Sequence, residues 1–99
     1  MAAQIYETVA AGQTDQVIGT SGQEGDLLDF LLVVPATLSP GTVSIKDGSG
    51  AAITVFVGGA GSVSNLIPFA VPLAARAADG PWKVTTGANV SVIAVGIFN

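Results

Sequence analysis

The stretch that decides the fold is TVSIKDGSGAAITVFVGG, residues 42–59. Apolar residues alternate with polar ones on both sides of DGSG, whose glycines and aspartate accept the backbone conformations of a tight turn. Val43 and Ile45 precede this turn, and Ile53 and Val55 follow it with the same period of two. The pattern predicts a β-hairpin, and it makes an all-β fold the first expectation for the whole chain.

The segment DLLDFLLVVP, residues 26–35, fits two structures. Its leucines recur at helical spacing, and Asp26 could cap such a helix. Against a helix, the run is short and ends in two valines before Pro35, a combination that favours extended backbone. We predict a strand with a bulge near Asp29.

Two further segments complete the strand pattern. LIPFAVPLAARA, residues 66–77, contains prolines at 68 and 72. Proline has no N–H for a sheet ladder, so this segment is expected to be an edge strand or a strand interrupted by a bulge. WKVTTGANVSVIAVGIF, residues 82–98, predicts a second hairpin with TGAN as its turn.

Seven or eight short strands separated by glycine and proline turns, with no long helix, predict an all-β, single-domain β-sandwich of jelly-roll-like type. A chain of 99 residues is long enough for one such domain. We assign residues 14–99 to the β-sandwich. Residues 1–13 are expected to form an N-terminal arm or a short first strand.

Composition argues against several classes of function. The net charge is −4 and the only cations are Lys46, Arg76 and Lys83, too few to neutralise a phosphate backbone, so we expect no nucleic-acid partner. No apolar run approaches the roughly 20 residues of a spanning helix, so no membrane partner is expected. The start MAAQIYETVAAG lacks the basic and apolar regions of a secretion signal, which predicts synthesis in a cytoplasm.

Histidine and cysteine are absent, which removes most metal sites and the common nucleophile–base pairs. Glu24, Asp26 and Asp29 could offer oxygen ligands to calcium, but we interpret them as solvated charges of a surface loop. We therefore expect no catalytic residue, no metal site and no cofactor, and we predict that the protein is not an enzyme.

The feature left to explain is an excess of apolar residues. Hydrophobic residues make up 49% of the chain and charged residues 10%, against roughly 25% charged in ordinary soluble domains. In the last strand Val90, Val92, Ala94, Gly96 and Phe98 should face the core, which leaves a second apolar face. In the hairpin, Phe56 should point away from Ile53, Val55 and Val57. Such a face predicts a closed homo-oligomer, with these interface residues: Ile93, Val95, Ile97, Phe56 and Trp82.

Three segments resemble small, cysteine-free β proteins found among the virion proteins of tailed bacteriophages: TVSIKDGSGAAITVFVGG, SVSNLIPFAVPL and GPWKVTTGANVSVIAVGIF. The resemblance covers roughly residues 40–98. It implies a capsid decoration (cement) protein or a head-fibre or spike component. It also implies a trimer of sandwich or jelly-roll subunits at a symmetry axis of the capsid. No residue roles are carried over, because the family has no short motif to match.

The expected function is that of a structural virion protein, a homotrimeric capsid decoration protein that binds the major capsid protein and stabilises the phage head. Its expected location is the capsid surface, after synthesis in the host cytoplasm. The alternative is a glycan- or receptor-binding head-fibre module that uses Trp82 and Tyr6 as stacking surfaces. A shell or surface-layer subunit of a non-viral assembly is a third hypothesis.

Overall fold

The computed structural model describes residues 4–99, and the first three residues of the predicted N-terminal arm lie outside this range. The described chain forms eight β-strands: β1 (Ile5–Val9), β2 (Gln16–Val17), β3 (Leu27–Pro35), β4 (Val43–Asp47), β5 (Ile53–Phe56), β6 (Phe69–Arg76), β7 (Trp82–Thr86) and β8 (Val90–Ile97). Residues 26–35 are thus extended rather than helical, as predicted.

The strands form two antiparallel sheets of four strands each, which makes the chain an all-β sandwich. One sheet has the order β1-β8-β3-β6 and the other the order β2-β7-β4-β5. Only β4 and β5 are consecutive in the chain and paired with each other, which confirms the predicted hairpin. Every other connection crosses from one sheet to the other, so each sheet is built from distant parts of the sequence.

The prediction of a second hairpin is wrong. Strands β7 and β8 belong to different sheets and face each other across the core. The backbone between them bonds to the loop after β3, where Gly87 N donates to Thr42 O (2.8 Å) and Gly41 N donates to Ala88 O (2.8 Å). Alternation alone cannot tell a hairpin from two strands that diverge into opposite sheets, because the core-facing period is two in both cases.

Two predicted irregularities of the first sheet are confirmed: a bulge in β3 and the edge position of the proline-containing strand β6. The register of β3 shifts at the predicted position, between Leu28 and Phe30, against both of its neighbours. This bulge brings the Leu27 carbonyl onto β8 at Gly96, where an added Cβ would collide with the carbonyl oxygen. Strand β6, with Pro72 in its middle, is an edge strand as predicted.

Inward-facing side chains of both sheets form one core. The predicted alternation in the last strand is confirmed, because Val90, Val92 and Ala94 are fully buried while the residues between them are only half-buried. They pack with the inward residues of the neighbouring strands, of which the largest fully buried ones are Ile18, Leu28, Leu31, Val33, Ile45 and Val84.

The two lateral sides of the sandwich are closed differently. On the side of β1 and β2, the Glu7 carboxylate accepts hydrogen bonds from Gln16 Nε2 (2.8 Å) and Gly19 N (2.9 Å). On the side of β5 and β6, the rings of Phe56 and Phe69 meet edge to face, with centroids 5.3 Å apart. One side therefore has a hydrogen-bonded carboxylate between its strands, and the other has an aromatic pair.

Phe56 faces the core side of its sheet, and the predicted face assignment for β5 is wrong. It lies opposite the buried Val43, while Ile53 lies opposite the buried Ile45. A register shift between Val43 and Ser44 places an extra residue on β5, so residues of odd and of even number both face inward.

One end of the sandwich is organised by Asp26, which is 2% exposed. Its carboxylate accepts hydrogen bonds from Gln23 N (3.0 Å) and from the backbone N–H and side-chain amide of Asn99. Its carbonyl oxygen accepts from Trp82 Nε1 (3.0 Å) and from Ala77 N (2.8 Å). The interpretation of Asp26 as a solvated loop charge is wrong, because this carboxylate is buried and accepts hydrogen bonds from Gln23 and Asn99.

We predict that Asp26→Ala lowers the free energy of unfolding by about 1–3 kcal/mol, because it removes the acceptor of three hydrogen bonds, from Gln23 N and from the backbone and side chain of Asn99. Urea denaturation measures the change. Glu24→Ala is the matched control, since Glu24 is an exposed carboxylate two residues away and should change stability by less than about 0.5 kcal/mol. Equal effects of the two substitutions would contradict the role of Asp26.

Candidate subunit interface

The outer surface of the β1-β8-β3-β6 sheet, here called the apolar face, carries the residues that the sequence places outside the core. Ile93, Val95 and Ile97 alternate with the buried residues of β8 and are half-buried. They occupy a strand paired on both sides, so the face extends across β1 and β3. The structure thus brings these three predicted interface residues together on one surface.

Strand register identifies the rest of this face, because residues directly opposite each other on neighbouring strands point to the same side. Val95 is opposite Tyr6 on β1 and Phe30 on β3, and Ile93 is opposite Thr8 and Leu32. The rows continue onto β6 through two small or rigid residues, Pro72 opposite Phe30 and Ala70 opposite Leu32. Two rows of four residues therefore cross the sheet without a single charge.

Polar groups lie at one end of the apolar face. Gln4 Nε2 donates to Asp29 Oδ2 (2.9 Å), and Arg76 Nη1 donates to Gly25 O (3.0 Å). Both charges are thus engaged within the chain, and neither reaches the central rows. An apolar centre with polar groups at its margin is the usual anatomy of a protein–protein interface.

The outer surface of the second sheet has the opposite character. Apart from Val17 on β2, the residues that the register places there are polar: Ser44, Lys46, Thr54, Lys83 and Thr85. Asp15 lies over it, accepting from Lys46 Nζ (3.2 Å) and donating its backbone N–H to Thr85 Oγ1 (2.9 Å). The two sheets share one core, so packing of the core does not explain why one outer surface is apolar and the other polar.

Trp82 and Phe56, the two aromatic residues of the predicted interface, lie elsewhere. Trp82 is 4% exposed in the core of its own chain, with its N–H bonded to the Asp26 carbonyl. Neither a neighbouring copy nor a sugar can reach its ring in this conformation. Phe56 is half-buried against the core at the β5–β6 side and is not part of the apolar face.

Sequence reasoning missed a second exposed apolar group, here called the apolar corner. Its members lie in the β3–β4 loop and around the β5–β6 loop: Leu38 (49% exposed), Val57 (75%), Leu66 (51%) and Ile67 (68%). The signal was present in the sequence, since no charged residue occurs between Asp47 and Arg76. Alternation was sought within strands, and these residues lie mostly in loops.

Groups suited to chemistry are sparse in the described part of the chain. Residues 4–99 contain no cluster of three or more His, Cys, Asp or Glu side chains that could hold a metal ion. An open depression at the β5–β6 loop is lined only by uncharged residues between positions 62 and 69. No helix in this range is long and apolar enough to cross a membrane.

Comparison of the chain with protein-family models, with curated proteins and with solved structures finds no match. Its function is therefore inferred from the two surfaces themselves.

Two aspartates, Asp15 over the second sheet and Asp79 in the β6–β7 loop, predict a loss of stability in acid. The hydrogen bond from Lys46 lowers the pKa of Asp15 below its usual value of 3.8, and the backbone N–H of Ser49 does the same to the pKa of Asp79. A carboxylate with a lowered pKa in the folded state contributes stability above its unfolded pKa. That contribution is lost as the pH falls through the lower, folded-state pKa.

We therefore expect the urea midpoint to fall as the pH is lowered below about 4, the unfolded pKa of an aspartate. Asp15→Asn should make this fall shallower, because the asparagine amide does not titrate in this pH range. Asparagine also keeps an acceptor oxygen and tolerates the positive φ of 49° at this position, so the fold should be retained. Denaturation curves at a series of pH values test this. An unchanged slope in the variant would show that Asp15 does not contribute to the acid sensitivity.

Proposed function

We propose that the protein is a homo-oligomeric structural protein that decorates and stabilises a protein shell, in the manner of the phage capsid decoration proteins that its sequence resembles. The observation that carries the proposal is the apolar face, where aliphatic and aromatic side chains of three adjacent strands lie outside the core. We propose the major capsid protein as the shell partner and the virion surface as the location.

The strand order supports the finer description of the fold as a jelly roll. Strand β1 pairs with β8, β2 with β7, β3 with β6 and β4 with β5. This nested pairing is what results when one long antiparallel hairpin is folded over into two packed sheets. Jelly rolls recur in viral capsid proteins, which agrees with the proposed role without identifying it.

The energy of assembly comes from removing the apolar face from water. Full burial of a large aliphatic side chain contributes about 1.5–3 kcal/mol. Ile93, Val95 and Leu32 are already half-buried, so each contributes only part of that amount when a partner covers it. Several residues acting together are needed, and the rows of the apolar face supply them.

Stabilisation of the shell follows from mass action. A protein that binds only the assembled shell lowers the free energy of that state, and the effect grows with the concentration of the decorating protein. The chain needs no titratable machinery for this role. It needs a rigid surface, which the buried core and the Asp26 hydrogen bonds provide.

The glycan-binding alternative loses its main support. Trp82 lies in the core, which leaves Tyr6, 72% exposed, as the exposed aromatic residue of the pair considered. A single tyrosine beside aliphatic residues favours protein contact over sugar stacking.

The proposal predicts that the purified protein sediments as a multiple of its 9.8 kDa mass and that Ile93→Asp converts it to a monomer, because a charge buried in the contact is unpaired. Sedimentation velocity measures this. Ser44→Asp is the matched control, since Ser44 is half-buried and faces outward from the opposite sheet. A wild-type protein that stays monomeric at all accessible concentrations would contradict self-assembly.

A second experiment addresses the shell. Empty, expanded capsids built from the proposed partner, the major capsid protein, should bind the wild-type protein saturably in co-sedimentation. We expect the monomeric Ile93→Asp variant to bind more weakly, because multivalent attachment is lost. An oligomer that does not bind these capsids would contradict the decoration role and leave the self-assembly intact.

A further inference from the structure

We propose that copies of the chain associate head to tail, with the apolar face of one copy packed against the apolar corner of the next, so that the copies close into a ring. This inference rests on the proposed self-assembly and specifies its geometry. It adds a second contact surface, made of Leu38, Val57, Leu66 and Ile67, to the one that the sequence predicts.

The apolar corner is held in place by hydrogen bonds between its two loops. Thr42 Oγ1 donates to Val57 O (2.6 Å), and Gly59 N donates to Pro40 O (2.8 Å). Gly61 N donates to Ser39 Oγ (3.1 Å). The exposed side chains are therefore presented on an anchored backbone, which lowers the entropy that binding would otherwise cost.

Charge matches the corner to the face rather than to the remaining surface. The sequence between Asp47 and Arg76 has no charge, so the corner, β5 and most of β6 are neutral. The central rows of the apolar face are neutral as well. Contact between these two surfaces buries no unpaired charge, whereas contact with the lysine-bearing second sheet would.

Area favours two different contacts over one symmetric contact. Four strands about 4.8 Å apart, and about seven residues long at 3.3 Å each, give the face a flat area of roughly 450 Å². A standard interface buries about 800 Å² per partner. A face-to-face dimer uses one such patch per copy and leaves the corner exposed. A head-to-tail ring uses both surfaces of every copy, so each copy buries the corner in addition to the face.

Orientation then determines closure. The apolar face lies on the flat surface of a sheet, and the corner lies at the β5–β6 side and the adjoining end of the sandwich. The two surfaces point in clearly different directions, so each head-to-tail contact rotates the next copy. Such contacts close when the rotation between successive copies divides a full turn; two copies in reciprocal contact are the smallest closed assembly, and three or more copies form a ring.

The test mixes two variants, Ile93→Asp with a damaged face and Ile67→Asp with a damaged corner. Each alone is expected to sediment as a monomer. Mixed in equal amounts they should form a 1:1 pair of twice the monomer mass, because the first variant keeps its corner and the second keeps its face. A concentration series is needed, since an open pair has one contact and lacks the reinforcement of a closed ring.

Controls separate this outcome from misfolding and from other assemblies. Circular dichroism and urea midpoints establish that both variants are folded; Leu66→Asp replaces Ile67→Asp if the latter is unstable. If the corner variant keeps the wild-type mass, the head-to-tail contact is wrong while self-assembly stands. If both variants are monomeric but do not pair, it is also wrong. A monomeric wild-type protein would overturn the proposed function itself.

Discussion

The rest of the structure depends on the buried carboxylate of Asp26 and the carbonyl oxygen of the same residue. The carbonyl oxygen accepts hydrogen bonds from the indole N–H of Trp82 and the backbone N–H of Ala77. The carboxylate accepts hydrogen bonds from the backbone N–H of Gln23 and from the backbone and side-chain N–H groups of Asn99. These bonds join the start of β3 to β7 of the opposite sheet and to Asn99, two residues after the end of β8. They hold β8 in one register, and a slip of one residue would turn every side chain of that strand to the other side.

Register is what separates core from surface in this chain, because both faces of β8 and of β3 are apolar. Val92 and Val33 lie opposite each other in the core, while Ile93 and Leu32, one residue away on each strand, lie opposite each other on the outer surface. Hydrophobicity alone would allow either set to face inward. The bulge at Asp29, with Gly96 beside it, helps to select one arrangement, since only glycine admits the Leu27 carbonyl there.

Much of the fold follows from local sequence patterns. The β4–β5 hairpin, the extended state of residues 26–35 and the alternation in β8 could be predicted because each is written in adjacent residues. The separation of β7 from β8 could not, since it depends on which strands from elsewhere in the chain compete for their edges. The burial of Asp26 was missed, and Trp82 was assigned to the interface rather than to the core, for the same reason: their partners are distant in sequence. Of the candidate interface, the part on β8 was predicted from alternation, and the apolar corner was missed because its residues lie in loops, where alternation gives no signal.

The edges of the sheets explain why association is expected through faces and loops rather than by extension of a sheet. Three of the four edge strands are poor partners for a further strand: β2 has two residues, β5 has four, and β6 carries Pro72, which cannot donate to a neighbouring strand. Short edge strands and proline are the usual means of preventing edge-to-edge pairing. These edges therefore disfavour the addition of further strands to either sheet. Because the face is half-buried in the single chain, the driving force of each proposed contact is moderate. The proposed assembly therefore depends on several contacts acting together, by ring closure and by attachment to a shell.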